Sequence, residues 1–117
     1  MEKLNVLCIE DYESFFAAWE CYFENDGVNI IPATTLAEAE EKFKIHGHEL
    51  SAIVMDGCVP GSNLNTVPLL KMILKTFKGP VIATSSLFRN ELMEAGCTDW
   101  CDKGDVVLKL KEVLNLK

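Results

Sequence analysis

Apolar and polar positions alternate along this chain in two ways, as short apolar runs and as longer stretches with one apolar face. The runs 4–9, 50–55 and 81–84 are mostly apolar at successive positions, which is typical of strands buried within a parallel sheet. A weaker run at 28–33 contains Pro32, which cannot donate to a strand ladder. We therefore predict four strands, of which the second lies at the edge of its sheet.

Five helices are predicted between and after these strands, together with a fifth strand. Phe15, Trp19 and Phe23 recur at four-residue spacing, which predicts an amphipathic first helix. Thr35 and Glu38 have the spacing of a capping box and predict the start of the second helix. The predicted helices cover about 13–25, 35–47, 67–77, 90–95 and 104–114, and the fifth strand covers 98–102.

The strand–helix alternation occurs five times in 117 residues, a length that suits one domain and leaves no room for a second. Alternation of this kind predicts parallel strands, right-handed crossovers and helices on both faces of the sheet. We therefore expect a single doubly wound α/β domain over residues 1–117.

Composition and charge argue against several classes of protein. The net charge is −7 and no basic cluster is present, so a nucleic-acid-binding surface is not expected. No apolar stretch approaches the roughly 20 residues of a membrane span. The first residues lack the layout of a signal peptide, so we expect a cytoplasmic location without membrane contact. The five cysteines are odd in number and poorly spaced for zinc, which favours free thiols.

Polar residues follow four of the predicted strands, at the edge where open parallel sheets bind ligands. They are Glu10 and Asp11 after the first strand, Asp56 after the third, Thr84, Ser85 and Ser86 at and beyond the end of the fourth, and Asp102 and Lys103 at and beyond the end of the fifth. Several carboxylates at close range repel one another, and a hard divalent cation such as Mg²⁺ relieves that repulsion. Lys103 can then contact an anionic oxygen that the metal does not reach.

Four short motifs at these strand ends resemble one protein family. They are Cys8-Ile9-Glu10-Asp11, Val54-Met55-Asp56 followed by Pro60, Pro80-Val81-Ile82-Ala83-Thr84-Ser85-Ser86, and Cys101-Asp102-Lys103. In this order they resemble the receiver domain of two-component response regulators over the full length of the chain. The resemblance implies a flavodoxin-like five-stranded sheet in the order 2-1-3-4-5.

The resemblance also implies roles for the acidic residues and the lysine. Asp56 would accept a phosphoryl group from the phosphohistidine of a histidine kinase or a histidine phosphotransfer protein. Asp11 and Asp56 would ligate Mg²⁺ or Mn²⁺ directly, Glu10 through a water molecule, and Cys58 through its backbone carbonyl. Lys103 would pair with the phosphoryl oxygens.

Two further positions match the switch residues of that family. Ser85 would be the switch hydroxyl, with Thr84 and Ser86 as competitors for the role, and Trp100 would be the switch aromatic. Phosphorylation would shift the population between two surfaces, read by a downstream protein target or a separate output domain. The chain would promote its own phosphorylation and dephosphorylation and have no independent enzyme activity.

The sequence departs from the family pattern in three places. Gly104 follows Lys103 where the family usually has proline. The stretch between Ser85 and Lys103 is a few residues short, so the fourth helix is expected to be short or irregular. Cys58 is small and leaves room for attacking water, which predicts measurable self-dephosphorylation. These departures leave open an alternative, a pseudo-receiver that binds partners without being phosphorylated.

Overall fold

The computed structural model describes residues 3–59, 66–84 and 88–116, which form five strands and five α-helices. The strands are β1 (Leu4–Ile9), β2 (Val28–Ala33), β3 (Leu50–Met55), β4 (Val81–Ala83) and β5 (Asp99–Trp100). The α-helices are α1 (Glu13–Tyr22), α2 (Leu36–His46), α3 (Val67–Ile73), α4 (Arg89–Ala95) and α5 (Val106–Val113). Short 3₁₀ turns at Gly47–Glu49 and Lys103–Asp105 precede β3 and α5.

The strands form one parallel sheet in the order β2-β1-β3-β4-β5. This order confirms the predicted flavodoxin-like arrangement, and Pro32 lies on the edge strand as its missing N–H requires. Pairing is uneven across the sheet. Six residue pairs join β1 to β2, whereas only two join β4 to β5.

Side chains of the strands alternate between two apolar layers, one on each face of the sheet. On one face, α2, α3 and α4 cover side chains such as Leu7 and Ile53. On the other face, α1 and α5 cover side chains such as Val6 and Val54. Full burial of each such side chain contributes roughly 1.5–3 kcal/mol, so the two layers hold the carboxyl ends of β1 and β3 in place.

Three predicted element ends differ by several residues from the structure. The third helix ends at Ile73 instead of residue 77, and the chain continues in turns over 74–76. The first helix ends at Tyr22 instead of near residue 25, because Phe23 is buried and the chain turns there towards Gly27 at φ 73°. The fifth strand has two residues instead of five. Its partner in the sheet, β4, ends at Ala83, so the ladder has little further to pair with, although the Cys101 N–H still donates to the Ala83 carbonyl at 3.0 Å.

The fourth helix is short, as expected. Helix α4 has seven residues and begins after Phe88, which adopts the left-handed conformation at φ 63°. It ends at Ala95, and Gly96 caps it with a φ of 128°, which residues with a side chain rarely adopt. A Cβ atom at Gly96 would lie 2.5 Å from Leu74 Cδ1. In the described ranges, no helix has the length and apolar character needed to cross a bilayer.

Candidate functional site

The two central strands bring the predicted acidic residues together. Ile9 of β1 lies level with Met55 of β3, so Glu10 and Asp56 leave the sheet side by side. The Asp56 N–H donates to the Ile9 carbonyl at 2.9 Å and extends the ladder past the strand ends. Glu10, Asp11 and Asp56 each place one carboxylate oxygen within 4.8 Å of the others.

Two of these three carboxylates are almost fully buried. Glu10 is 1% exposed and Asp56 is 4% exposed, whereas Asp11 lies exposed at the rim. The pKa of Glu10 is raised to about 8, mainly by burial and next by its neighbour Asp56, while Lys103 opposes the shift. Burial and like charge together therefore make this site unfavourable for carboxylates unless a cation is near.

Lys103 supplies one such cation. Its Nζ lies 2.7 Å from Glu10 Oε1 and 3.1 Å from Asp56 Oδ2. Burial lowers the pKa of Lys103, but the hydrogen bonds to Glu10 and Asp56 outweigh it, so the pKa is raised overall and the ammonium stays charged. The rings of Tyr12 and Phe15 lie 5.6 Å and 5.7 Å from Nζ, within the range of weak cation–π attraction.

Described residues on either side of 60–65 form hydrogen bonds with Asp56 and Gly57. The Cys58 N–H donates to Asp56 Oδ1 at 3.4 Å, a long hydrogen bond. Thr66 Oγ1 donates to the Asp56 carbonyl at 2.8 Å, and the Thr66 N–H donates to the Gly57 carbonyl at 3.0 Å. The sequence analysis did not single out Thr66. The feature that could have indicated it is a hydroxyl residue directly before a helix that has Pro68 in its first turn.

The donor set fits a hard divalent cation. Carboxylate oxygens are the ligands that Mg²⁺ and Mn²⁺ prefer. The buried Glu10 Oε1 already faces the Lys103 ammonium at 2.7 Å, and a carboxylate oxygen has a second lone pair that can accept from a water molecule or face a cation. Asp11 is exposed and can hold an ion that keeps part of its hydration shell.

Thr84 and Trp100 are the predicted switch residues that lie within the described ranges. Thr84 is buried, and both its N–H and its Oγ1 donate to the Met55 carbonyl, at 3.0 Å and 3.5 Å. Its hydroxyl is therefore already engaged with the backbone. Ser85 and Ser86, the other predicted switch hydroxyls, lie outside the described residues. Trp100 is 49% exposed at the end of β5.

Solved structures share this arrangement of strands and helices. The non-phosphorylated receiver domain of HemR from Leptospira biflexa matches with a TM-score of 0.81 and 22% identity, over 98% of this chain and 97% of that chain. A chain of the CheX–CheY–BeF₃–Mg²⁺ complex from Borrelia burgdorferi matches with a TM-score of 0.77 and 21% identity, over 97% and 90%. The fold is that of a receiver domain.

A third receiver-fold match is a response regulator protein from Burkholderia pseudomallei with a phosphorylated aspartic acid, calcium ion and citrate. It has a TM-score of 0.77 and 18% identity, over 96% of this chain and 66% of that chain. No family model and no curated protein matches the sequence. The likeness therefore lies in the three-dimensional arrangement of the chain.

Within this receiver fold, the predicted site residues fall into two groups. Glu10, Asp11, Asp56 and Lys103 come together at the carboxyl edge of β1 and β3. Trp100 belongs to a separate cluster, where its ring lies beneath the Arg89 guanidinium. The sequence does not predict the contact between Arg89 and Trp100, because an arginine at the start of a helix is usually a surface residue.

Proposed function

We propose that this chain, as one domain over residues 1–117, is a phosphoacceptor receiver domain of a phosphorelay, with Asp56 as the acceptor. The observation that carries the proposal is the convergence of three carboxylates and one lysine at adjoining strand ends. A solvated cluster of acids would leave its members exposed, whereas Glu10 and Asp56 are buried. Burying carboxylates together is costly, and phosphoryl transfer with a divalent cation is a chemistry that needs them there.

Asp56 acts as the nucleophile in this proposal. One of its carboxylate oxygens attacks the phosphorus of a phosphohistidine, the O–P bond forms, and the N–P bond breaks. The imidazole of the donor keeps the electron pair and takes up a proton from solvent. Lys103, already 3.1 Å from Asp56 Oδ2, moves its contact to a phosphoryl oxygen as charge develops there. Positioning and electrostatic stabilisation then provide most of the rate enhancement.

A divalent cation is part of the same proposal. Asp11 and Asp56 would hold Mg²⁺ or Mn²⁺ directly, Glu10 through water, and Cys58 through its backbone carbonyl. The bound ion would neutralise charge on the transferring phosphoryl group. The raised pKa of Glu10 gives a reason for the cation, because ionising this buried carboxyl is unfavourable without one.

The signal would leave the site through the end of β4. A phosphoryl group on Asp56 offers acceptors to Ser85, with Thr84 as the neighbouring hydroxyl, and the adjoining Trp100 changes its surroundings. The partners are a histidine kinase or a histidine phosphotransfer protein upstream and a protein target or an output domain downstream. Cys58 is small and half-buried beside Asp56, which leaves room for the water that hydrolyses the acyl phosphate.

The decisive experiment is intact mass after incubation with acetyl phosphate and Mg²⁺. Wild type should gain one phosphoryl group, and Asp56→Asn should gain none. Asp105→Asn is the matched control, because it removes an exposed carboxylate outside the cluster and should be phosphorylated like wild type. An unmodified wild type whose melting temperature is also unchanged by Mg²⁺ would favour the pseudo-receiver.

A further inference from the structure

A side-chain cluster outside the acidic site joins the start of α4 to the end of β5. The Arg89 guanidinium carbon lies 3.9 Å from the centroid of the Trp100 ring, and Arg89 Nη2 lies 3.2 Å from Asp102 Oδ1. The Arg89 side chain is 22% exposed, although Trp100 is about half exposed and Asp102 is largely exposed. One arginine therefore holds the two residues on either side of Cys101.

The stack on Trp100 is the stronger of these two contacts. Guanidinium over indole is the most favourable cation–π pairing, and here it is partly shielded from water. The ion pair is weak by comparison, because the Asp102 side chain is 76% exposed and screened by solvent. Arg89 Nε is buried and has no acceptor among the described residues, so the contacts that the structure gives for this guanidinium are the stack on Trp100 and the ion pair with Asp102.

The backbone fixes both ends of this contact. Phe88 holds the left-handed conformation directly before Arg89, a conformation that costs free energy for a residue with a side chain. On the other side, Cys101 is buried and its N–H donates to the Ala83 carbonyl at 3.0 Å. Lys103 lies two residues after Cys101 and contacts Asp56. The segment that Arg89 holds is therefore the segment that carries the lysine into the acidic site.

We propose that Arg89 is a positioning residue that clamps the segment 100–102, and with it the exposed indole, in the arrangement that the protein has without a phosphoryl group. The proposal rests on the proposed function. Arg89 begins α4, the helix that follows β4 in the chain, and its partner Trp100 pairs with Ala83, the last residue of β4, so the clamp adjoins the end of β4. The clamp stabilises one of two arrangements, and its loss shifts the population towards the other.

Tryptophan fluorescence tests the clamp directly. The chain has two tryptophans, and Trp19 is 4% exposed, so a Trp19→Phe background leaves Trp100 as the reporter. In that background Arg89→Ala should raise acrylamide quenching of Trp100 about twofold, because one face of the indole loses its cover. Arg89→Lys should restore part of the protection, and Asp102→Asn should change it little. In a Trp100→Phe background, Arg89→Ala should leave Trp19 emission unchanged, which shows that the fold is intact.

The rate of acyl phosphate formation from acetyl phosphate and Mg²⁺ tests the consequence for signalling. Arg89→Ala should react about fivefold faster than wild type, because a surface cation–π contact no longer opposes the rearrangement. Unchanged quenching overturns the clamp. A large change in quenching at an unchanged reaction rate overturns the link to phosphorylation. If wild type forms no acyl phosphate, the proposed function fails, and the quenching data alone decide whether the clamp exists.

Discussion

The two halves of the site are supported very differently by the sheet. Glu10 and Asp56 extend β1 and β3, which lie inside the sheet and pair along five residues. Trp100 ends β5 and Lys103 follows it, and β5 is an edge strand that pairs with β4 through two residues. The buried acids contrast with an indole that is 49% exposed.

This difference matches the two tasks of the proposed function. Phosphoryl transfer needs groups fixed to within a fraction of an ångström, which central strands provide. A switch needs an element with two arrangements of similar free energy, and such elements come from the least stable parts of a fold. Glu10 and Asp56, the acid half of the site, are therefore suited to phosphoryl transfer. The residues at the start of α4 and the end of β5, from here on the corner or switch half, are suited to passing the signal on.

The largest expected effect on phosphorylation comes from removing Lys103, which links the end of β5 to Glu10 and Asp56. Lys103→Met should slow acyl phosphate formation about a hundredfold, because a positioned charge on the transferring group is lost. Lys44→Met is the matched control, since Lys44 makes an exposed ion pair with Glu40 at 3.5 Å and should react like wild type. Time courses of intact mass measure both variants. A Lys103→Met protein with wild-type kinetics would remove the lysine from the mechanism.

A second prediction compares Gly96 and Gly104, two glycines in the switch half. Gly96→Ala should destabilise the protein by about 2 kcal/mol, because φ 128° is strained for alanine and the new Cβ lies 2.5 Å from Leu74 Cδ1. Gly104→Ala should change stability by less than about 0.5 kcal/mol, because its Cβ has nothing within 4 Å and its φ is not in the strained region. Urea unfolding measures both values. Equal effects would show that the corner tolerates strain at Gly96.

The sequence predicts the acid half better than the switch half for a physical reason. Continuous apolar runs predict β1 and β3, and the polar residues that end those runs predict Glu10 and Asp56. The length of β5 depends on where its neighbour ends, which no local pattern shows. Phe88 adopts the left-handed conformation, which is uncommon for a residue with a bulky side chain, so its sequence does not predict it. The stack of Arg89 on Trp100 depends on both of those features, so sequence reasoning could not reach it.

The acid half predicts a pH dependence for the metal-free protein. The pKa of Glu10 is about 8 in the folded protein and near 4.5 when exposed, so the folded state binds more protons across that window. Stability should therefore fall as pH rises from about 5 to about 8, by about 1.4 kcal/mol for each unit of net pKa difference. The raised pKa of Lys103 acts only above its ordinary value of 10.5, outside this window.

Urea unfolding in EDTA across this pH range measures the slope, and Glu10→Gln provides its control. The variant cannot ionise at this position, so its stability should be flatter with pH. Mg²⁺ should oppose the decline in wild type, because the cation binds the ionised carboxylates. A slope that persists unchanged in Glu10→Gln would assign the pH dependence to other groups.

The smallest expected effect is the most direct comparison of the two halves. The Asp56 N–H donates to Ile9 at 2.9 Å, and the Cys101 N–H donates to Ala83 at 3.0 Å, so hydrogen-bond length does not distinguish them. Only the strand pairing next to them differs, since the Asp56 hydrogen bond extends two central strands and the Cys101 hydrogen bond extends a two-residue edge pairing.

Native-state hydrogen exchange should therefore give Cys101 a protection factor at least about fivefold lower than that of Asp56. Arg89→Ala should widen the gap by lowering protection at Cys101 alone. Equal protection at the two amides would mean that the end of β5 opens no more easily than the centre of the sheet, which would contradict its proposed role as the switch.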